Sequence, residues 1–178
     1  MNGLEKSISV KEIALSDRPG TATLHIPDPS HGLLETSASL EADFKTHSAT
    51  SGAQTIEVDI ATLDSLELQG PISVIKVDIE GHEHAFLEGA KNTLMRERPM
   101  VFFEVLHSAQ RNQIRKIARE LSYVDFRLRP DLAIHDGGEI MFDPAAWNHA
   151  LVPSERLQKF QEACDSCAVT MLRRFQLS

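Results

Sequence analysis

The stretch "VIKVDIEGHEH", Val74 to His84, decides how the chain is read. It belongs to a longer apolar and β-branched run, "ISVIKVDI" from Ile72 to Ile79, as expected of a strand covered on both faces. After Gly81 the period changes. In "HEHAFLEGAKNTLMRER", Phe86 and Ala90 are four apart, and Leu87, Ala90 and Leu94 fall at i, i+3 and i+7, which is one helical face. Pro99 stops that helix, and "MVFFEV" (Met100 to Val105) reads as a second buried strand. "RNQIRKIARELS" is an amphipathic helix with Ile114, Ile117, Ala118 and Leu121 inward, and "YVDFRLRP" is a strand. Strand, helix, strand, helix, strand predicts an α/β fold with parallel neighbours joined by right-handed crossovers.

Upstream, "SISVKEIALSD" (Ser7 to Asp17) predicts a strand, "RPG" a turn and "TATLHIP" another strand. Residues 28–53 are polar and read as a mobile loop of the kind that forms lids or binding loops. "TIEVDIATL" alternates Ile56, Val58 and Ile60 and predicts a period-two strand. Downstream, "NHALVPSE" reads as a short last strand. "SERLQKFQEACDSCAVTMLRRF" reads as a C-terminal helical segment with Ser154 as its N-cap. The expected division is a domain over residues 1–153 and a helical segment over 154–178.

Bulk properties narrow the function. A chain of 178 residues with net charge −8 and pI near 5.4 lacks the basic face that nucleic acid requires. No window holds the ~18 apolar residues of a membrane helix, and the N-terminus has no apolar signal core. A cytoplasmic location without membrane attachment is therefore expected. Cys164 and Cys167 in "CDSC" supply at most half a zinc site and read as thiols on one helix face.

The chemistry gathers at strand ends. Asp78 and Glu80 lie at the carboxyl end of one strand and Glu104 ends the next. Adjacent strands are ~4.8 Å apart, so Asp78 and Glu104 are expected at one edge, where ligands bind in open α/β sheets. Asp78 interrupts the most apolar strand and is expected to be buried, where an unpaired carboxylate is costly. Glu83 reads as a helix N-terminal acid, and His84 as a surface histidine. His82 suits a single base, since histidines two apart on a helix do not face each other. No metal site is assigned, although oxygen ligands from Asp78, Glu80 and Glu104 would suit Mg²⁺.

On these residues the chain resembles the FkbM family of S-adenosylmethionine-dependent methyltransferases. "TLDSL" (Thr62 to Leu66), "IKVDIEGHE" (Ile75 to Glu83), "FLEGA" (Phe86 to Ala90) and "RPMVFFEV" (Arg98 to Val105) follow the family's pattern and order. "IALSDRPGTATL" is similar to its third strand and hairpin, and "NHALVP" to its final strand, so the resemblance spans residues 8 to 153. It implies a Rossmann-like class I methyltransferase sheet with helices on both faces. It also implies methyl transfer to a hydroxyl of a small molecule or sugar. By resemblance, Ala14, Leu15 and Ser16 lie near the cofactor's adenine. Asp78, Glu80, Gly81 and His82 lie near the sulfonium and acceptor. Asp78 and Gly81 therefore count as cofactor-binding, and Asp78, Glu80, His82 and Glu104 as catalytic.

The chain's 9 glycines form no G-x-G, and only Met1 to Lys6 precede the first matched strand. The expectation is thus a truncated domain lacking the family's first two strands and glycine-rich loop. Such a sheet would bare a long apolar edge at the fourth strand and dimerise through it, or cover it with rearranged N-terminal residues. The alternative function is a non-catalytic remnant serving as an interaction or dimerisation module.

Overall fold

A computed structural model describes residues 7–26, 40 and 54–173. In chain order the strands are β1 (Ala14–Leu15), β2 (Gly20–Ile26), β3 (Gln54–Ala61), β4 (Val74–Lys76), β5 (Met100–Glu104), β6 (Tyr123–Leu128), β7 (Leu132–His135), β8 (Asn148–Pro153) and β9 (Thr170–Arg173). The helices are α1 (Glu83–Glu88), α2 (Lys91–Glu97), α3 (Arg111–Glu120) and α4 (Leu157–Ser166).

The main sheet has six strands in the order β4-β5-β8-β6-β7-β9. β4 and β5 are parallel, while β8 is antiparallel to both β5 and β6. β4, β5 and β6 therefore point the same way, and their carboxyl ends share one edge. Helices α1 and α2 link β4 to β5, and α3 links β5 to β6. This is a Rossmann-like α/β sheet. The antiparallel β8, inserted between β5 and β6, departs from the all-parallel neighbours expected from strand–helix alternation.

Strand alternation sends side chains to opposite faces. Val101, Phe103, Tyr123 and Leu151 meet Leu87, Leu94, Ile114 and Ile117 of the first three helices. Met100, Phe126, Ala150 and Val152 meet Phe160 and Cys164 of α4 on the other face. Helices thus cover both faces. Each fully buried Leu or Ile contributes roughly 1.5–3 kcal/mol.

A second sheet has the order β1-β3-β2, with β1 parallel and β2 antiparallel to β3. Its docking onto the helices explains the "TLD" motif. Thr62 caps a 3-10 turn (Leu63–Ser65) by accepting the Ser65 N–H at 3.1 Å. Leu63 is buried. The Asp64 carboxylate accepts the N–H groups of Asn92 and Thr93 at 2.9 and 2.7 Å, satisfying the first turn of α2. Asp64 N–H in turn donates to Gly89 C=O at 3.0 Å. Gly89 sits where a Cβ would lie 2.0 Å from the Ser16 carbonyl oxygen, so only glycine allows this approach.

Several sequence expectations change. The single helix after Gly81 is broken into α1 and α2 at Gly89 and Ala90, because the chain there bends to meet Ser16 and Asp64. The strand expected over 7–17 shrinks to Ala14–Leu15; Ile8 and Val10 are 61% and 81% exposed and have no sheet to alternate against. β4 is an edge strand of three residues with Val74 exposed, not a strand covered on both faces and not a long apolar edge. Ser154 lies in a 3-10 turn, and α4 is preceded by Arg156 rather than capped by Ser154. The helix ends at Ser166, Ala168 takes a left-handed backbone, and residues 170–173 form β9 beside β7. β8 is therefore not the last strand. The loop expected over 28–53 lies outside the described residues apart from Leu40. No described helix is long and apolar enough to cross a membrane.

Candidate functional site

The site is built where the chain leaves β4. Val77 still pairs with β5, its N–H donating to Phe102 C=O at 2.7 Å, and then the backbone turns sharply. Glu80 and Gly81 both take positive φ, 53° and 101°. The glycine adopts this freely, whereas Glu80 holds a left-handed conformation at a cost of ~1–2 kcal/mol. Glu83 secures the turn. Its side chain is buried and its Oε1 accepts the Gly81 N–H at 3.2 Å. Burial pushes the Glu83 carboxyl above its ordinary value, while backbone donors in the turn pull it down. Glu83 therefore shapes the loop from within.

Around the turn several carboxylates gather. The Glu80 carboxyl is pushed up, first by partial burial and then by Asp78, Glu104 and Glu83. β4 and β5 are indeed neighbours, and Glu104 lies at the carboxyl end of β5. The Asp78 side chain, expected to be buried, is 57% exposed and pairs with Lys76 at 3.7 Å. The reason is its position: it follows the edge strand, where Val77 is buried and Ile75 and Ile79 pack partly on the core while Asp78 faces outward. Among the described residues, no group of three or more His, Cys, Asp or Glu side chains is arranged to hold a metal ion.

A cleft of about 350 Å³ separates the small sheet from this turn. Ala14 and Leu15 line one wall, and Val77, Asp78, Ile79 and His82 line the other. Ser16 lies beside the cleft, buried, with its Oγ 2.9 Å from His82 Nε2. Residues more than sixty positions apart in the chain are thus brought together. Glu80, Gly81 and Glu104 surround the turn without lining the cleft. His84 is half-buried rather than a surface histidine, its ring 5.9 Å from that of His82.

Sequence reasoning overlooked a second ionisable cluster at the same end of the sheet. Asp125 is buried, and both its carboxylate oxygens lie 3.0 Å from Nδ1 of the fully buried His149. Burial pushes Asp125 up and His149 pulls it back. Next to it, the buried Arg127 pairs with Asp136 at 3.0 Å and with Asp143. Asp143, also bonded to Arg129 and to the Ala145 N–H, is held down at about 2. The signal was present: "YVDFRL" places Asp125 and Arg127 two apart, on the inward face of a strand.

The family profile of the methyltransferase FkbM domain matches residues 2–128. The chain belongs to the FkbM methyltransferase family. The crystal structure of methyltransferase FkbM from Methylobacillus flagellatus KT is similar at 14% identity with a TM-score of 0.49, over 84% of this chain and 30% of that one. This FkbM-family chain thus spans under a third of the length of that protein. Comparison with the curated proteins gave no match.

Proposed function

We propose that this chain is an S-adenosylmethionine-dependent O-methyltransferase acting on a hydroxyl of a small molecule or sugar in the cytoplasm. The observation that carries the reading is the shared cleft: Ala14 and Leu15, expected near an adenine, face Asp78 and His82, expected near the reacting groups. Its volume falls in the ~300–1,000 Å³ range of small-molecule sites. The donor set suits the cofactor. The apolar Ala14 and Leu15 offer a surface for a flat base. Asp78, with Glu80 and Glu104 close by, gives a negative field for a cationic sulfonium.

When bound, the cofactor supplies an electrophilic methyl group. The chain's own residues align the acceptor and take its proton. His82 and Glu80 are the candidates for that proton, Glu80 because partial burial and then its like-charged neighbours raise its affinity for one. The test is transfer of labelled methyl from S-adenosylmethionine to a panel of hydroxyl acceptors. Transfer by the wild type, reduced ~100-fold or more in His82→Ala, is expected for a general base. No transfer to any hydroxyl acceptor would count against the reading.

One observation favours the second reading, an interaction module. Val74 is 58% exposed at the outer edge of β4. A homodimer would pair two such edges. Sedimentation that shows a monomer at all concentrations would set this reading aside.

A further inference from the structure

We propose that Ser16 and Asp17 are positioning residues for His82, fixing which ring nitrogen carries the proton. The inference rests on His82 as the proton acceptor of the reaction proposed above. Ser16 Oγ lies 3.1 Å from Asp17 Oδ1 and 2.9 Å from His82 Nε2. A hydroxyl has one proton to donate, and an ionised carboxylate can only accept. Both contacts are satisfied in one way alone: Ser16 donates to Asp17, and His82 Nε2–H donates to Ser16. The proton-accepting nitrogen of the neutral ring is then Nδ1.

The order of the three groups matters. A serine nucleophile needs the imidazole to take the hydroxyl proton, with the carboxylate behind the imidazole. Here the hydroxyl stands between carboxylate and imidazole and gives its proton to the carboxylate. Ser16 is therefore not primed for attack; it acts as an acceptor that holds the ring.

The backbone places this hydroxyl rigidly. Ser16 N–H donates to Ala61 C=O at 2.9 Å, and its own carbonyl is packed against Gly89. The relay thus spans the small sheet and the turn that precedes α1. Charged and titratable groups near His82 include Asp17 just after β1, Lys76 and Asp78 lining the same cleft, the His84 ring, and Glu80 and Glu83 close by in the chain.

The experiment uses the full chain with ¹⁵N-labelled histidine, without cofactor or acceptor, at a pH above the imidazole titration. The expected result is a one-bond ¹H–¹⁵N signal from His82 Nε2–H that is protected from solvent exchange. Because water already favours this tautomer, protection is the deciding readout. Ser16→Ala should speed that exchange roughly tenfold, the order given by one hydrogen bond of ordinary strength, with amide protection in α1 and α2 unchanged. Asp17→Ala frees the hydroxyl proton and should shift the ring toward Nδ1–H; this exposed site also serves if Ser16→Ala does not fold. An unprotonated Nε2 in the wild type, or exchange unmoved in both variants, would overturn the proposal. No cofactor enters the measurement, so failure to bind S-adenosylmethionine leaves this result standing, and the reverse holds.

Discussion

Two groups of ionisable side chains sit near the carboxyl edge of one sheet, and they are built in opposite ways. Around the β4 turn, Asp78 is solvent-exposed and Glu80 is pushed up, first by partial burial and then by Asp78, Glu104 and Glu83. On β6, Asp125 and Arg127 are buried, and each is matched by an opposite or hydrogen-bonding partner: His149 on β8, Asp136 and Asp143. A buried charge must be paired to persist, so the second group holds the fold together. A cluster of like charges at a strained turn costs stability, so the first group is suited to a ligand that neutralises it.

The comparison breaks most visibly if the buried cluster can be disrupted at no cost. His149→Ala leaves the Asp125 carboxylate buried without its imidazole. A loss of about 3–5 kcal/mol in urea unfolding is expected. A loss below 1 kcal/mol would mean that the pair does not hold the sheet. Gly89→Ala comes next. Its Cβ would meet the Ser16 backbone, where no side chain can give way. Overpacking of this kind costs ~1–3 kcal/mol, and faster hydrogen exchange should appear in β1 and β3 before β5. Asp64→Ala removes the acceptor of two α2 amides and should cost ~0.5–2 kcal/mol, read from the same unfolding curves.

At the β4 turn the sign reverses. The folded-state pKa of Glu80 lies above its ordinary value of 4.5, so between those two values the folded state binds more protons than the unfolded one. Stability contributed by this group is present below 4.5 and is lost as pH rises through the raised value. Glu80→Gln should flatten that part of the stability–pH profile and leave the protein no less stable at pH 7. A steeper profile in the variant would contradict a raised Glu80 pKa.

Much of the fold was legible because the core strands and helices carry one dominant period each. Ile114, Ile117 and Ala118 are buried as their spacing implies, and β5 and β6 fall where the apolar runs lie. The insertion of β8 between β5 and β6 was not legible, since strand order depends on tertiary pairing rather than local pattern. The break between α1 and α2 was missed for the same reason: Gly89 reads as a tolerable helix residue until Ser16 is packed against it. At the site, an acid within an apolar run was read as buried. The rule suited Asp125, on a strand paired on both sides, and failed for Asp78, beyond the end of an edge strand.

The most direct test of the claim that the β4 turn is a ligand site is calorimetric titration of the full chain with S-adenosylmethionine, repeated with Asp78→Ala. The account predicts saturable binding by the wild type, weakened in Asp78→Ala while urea stability is kept. No saturable heat, or equal affinity in the two proteins, would contradict it.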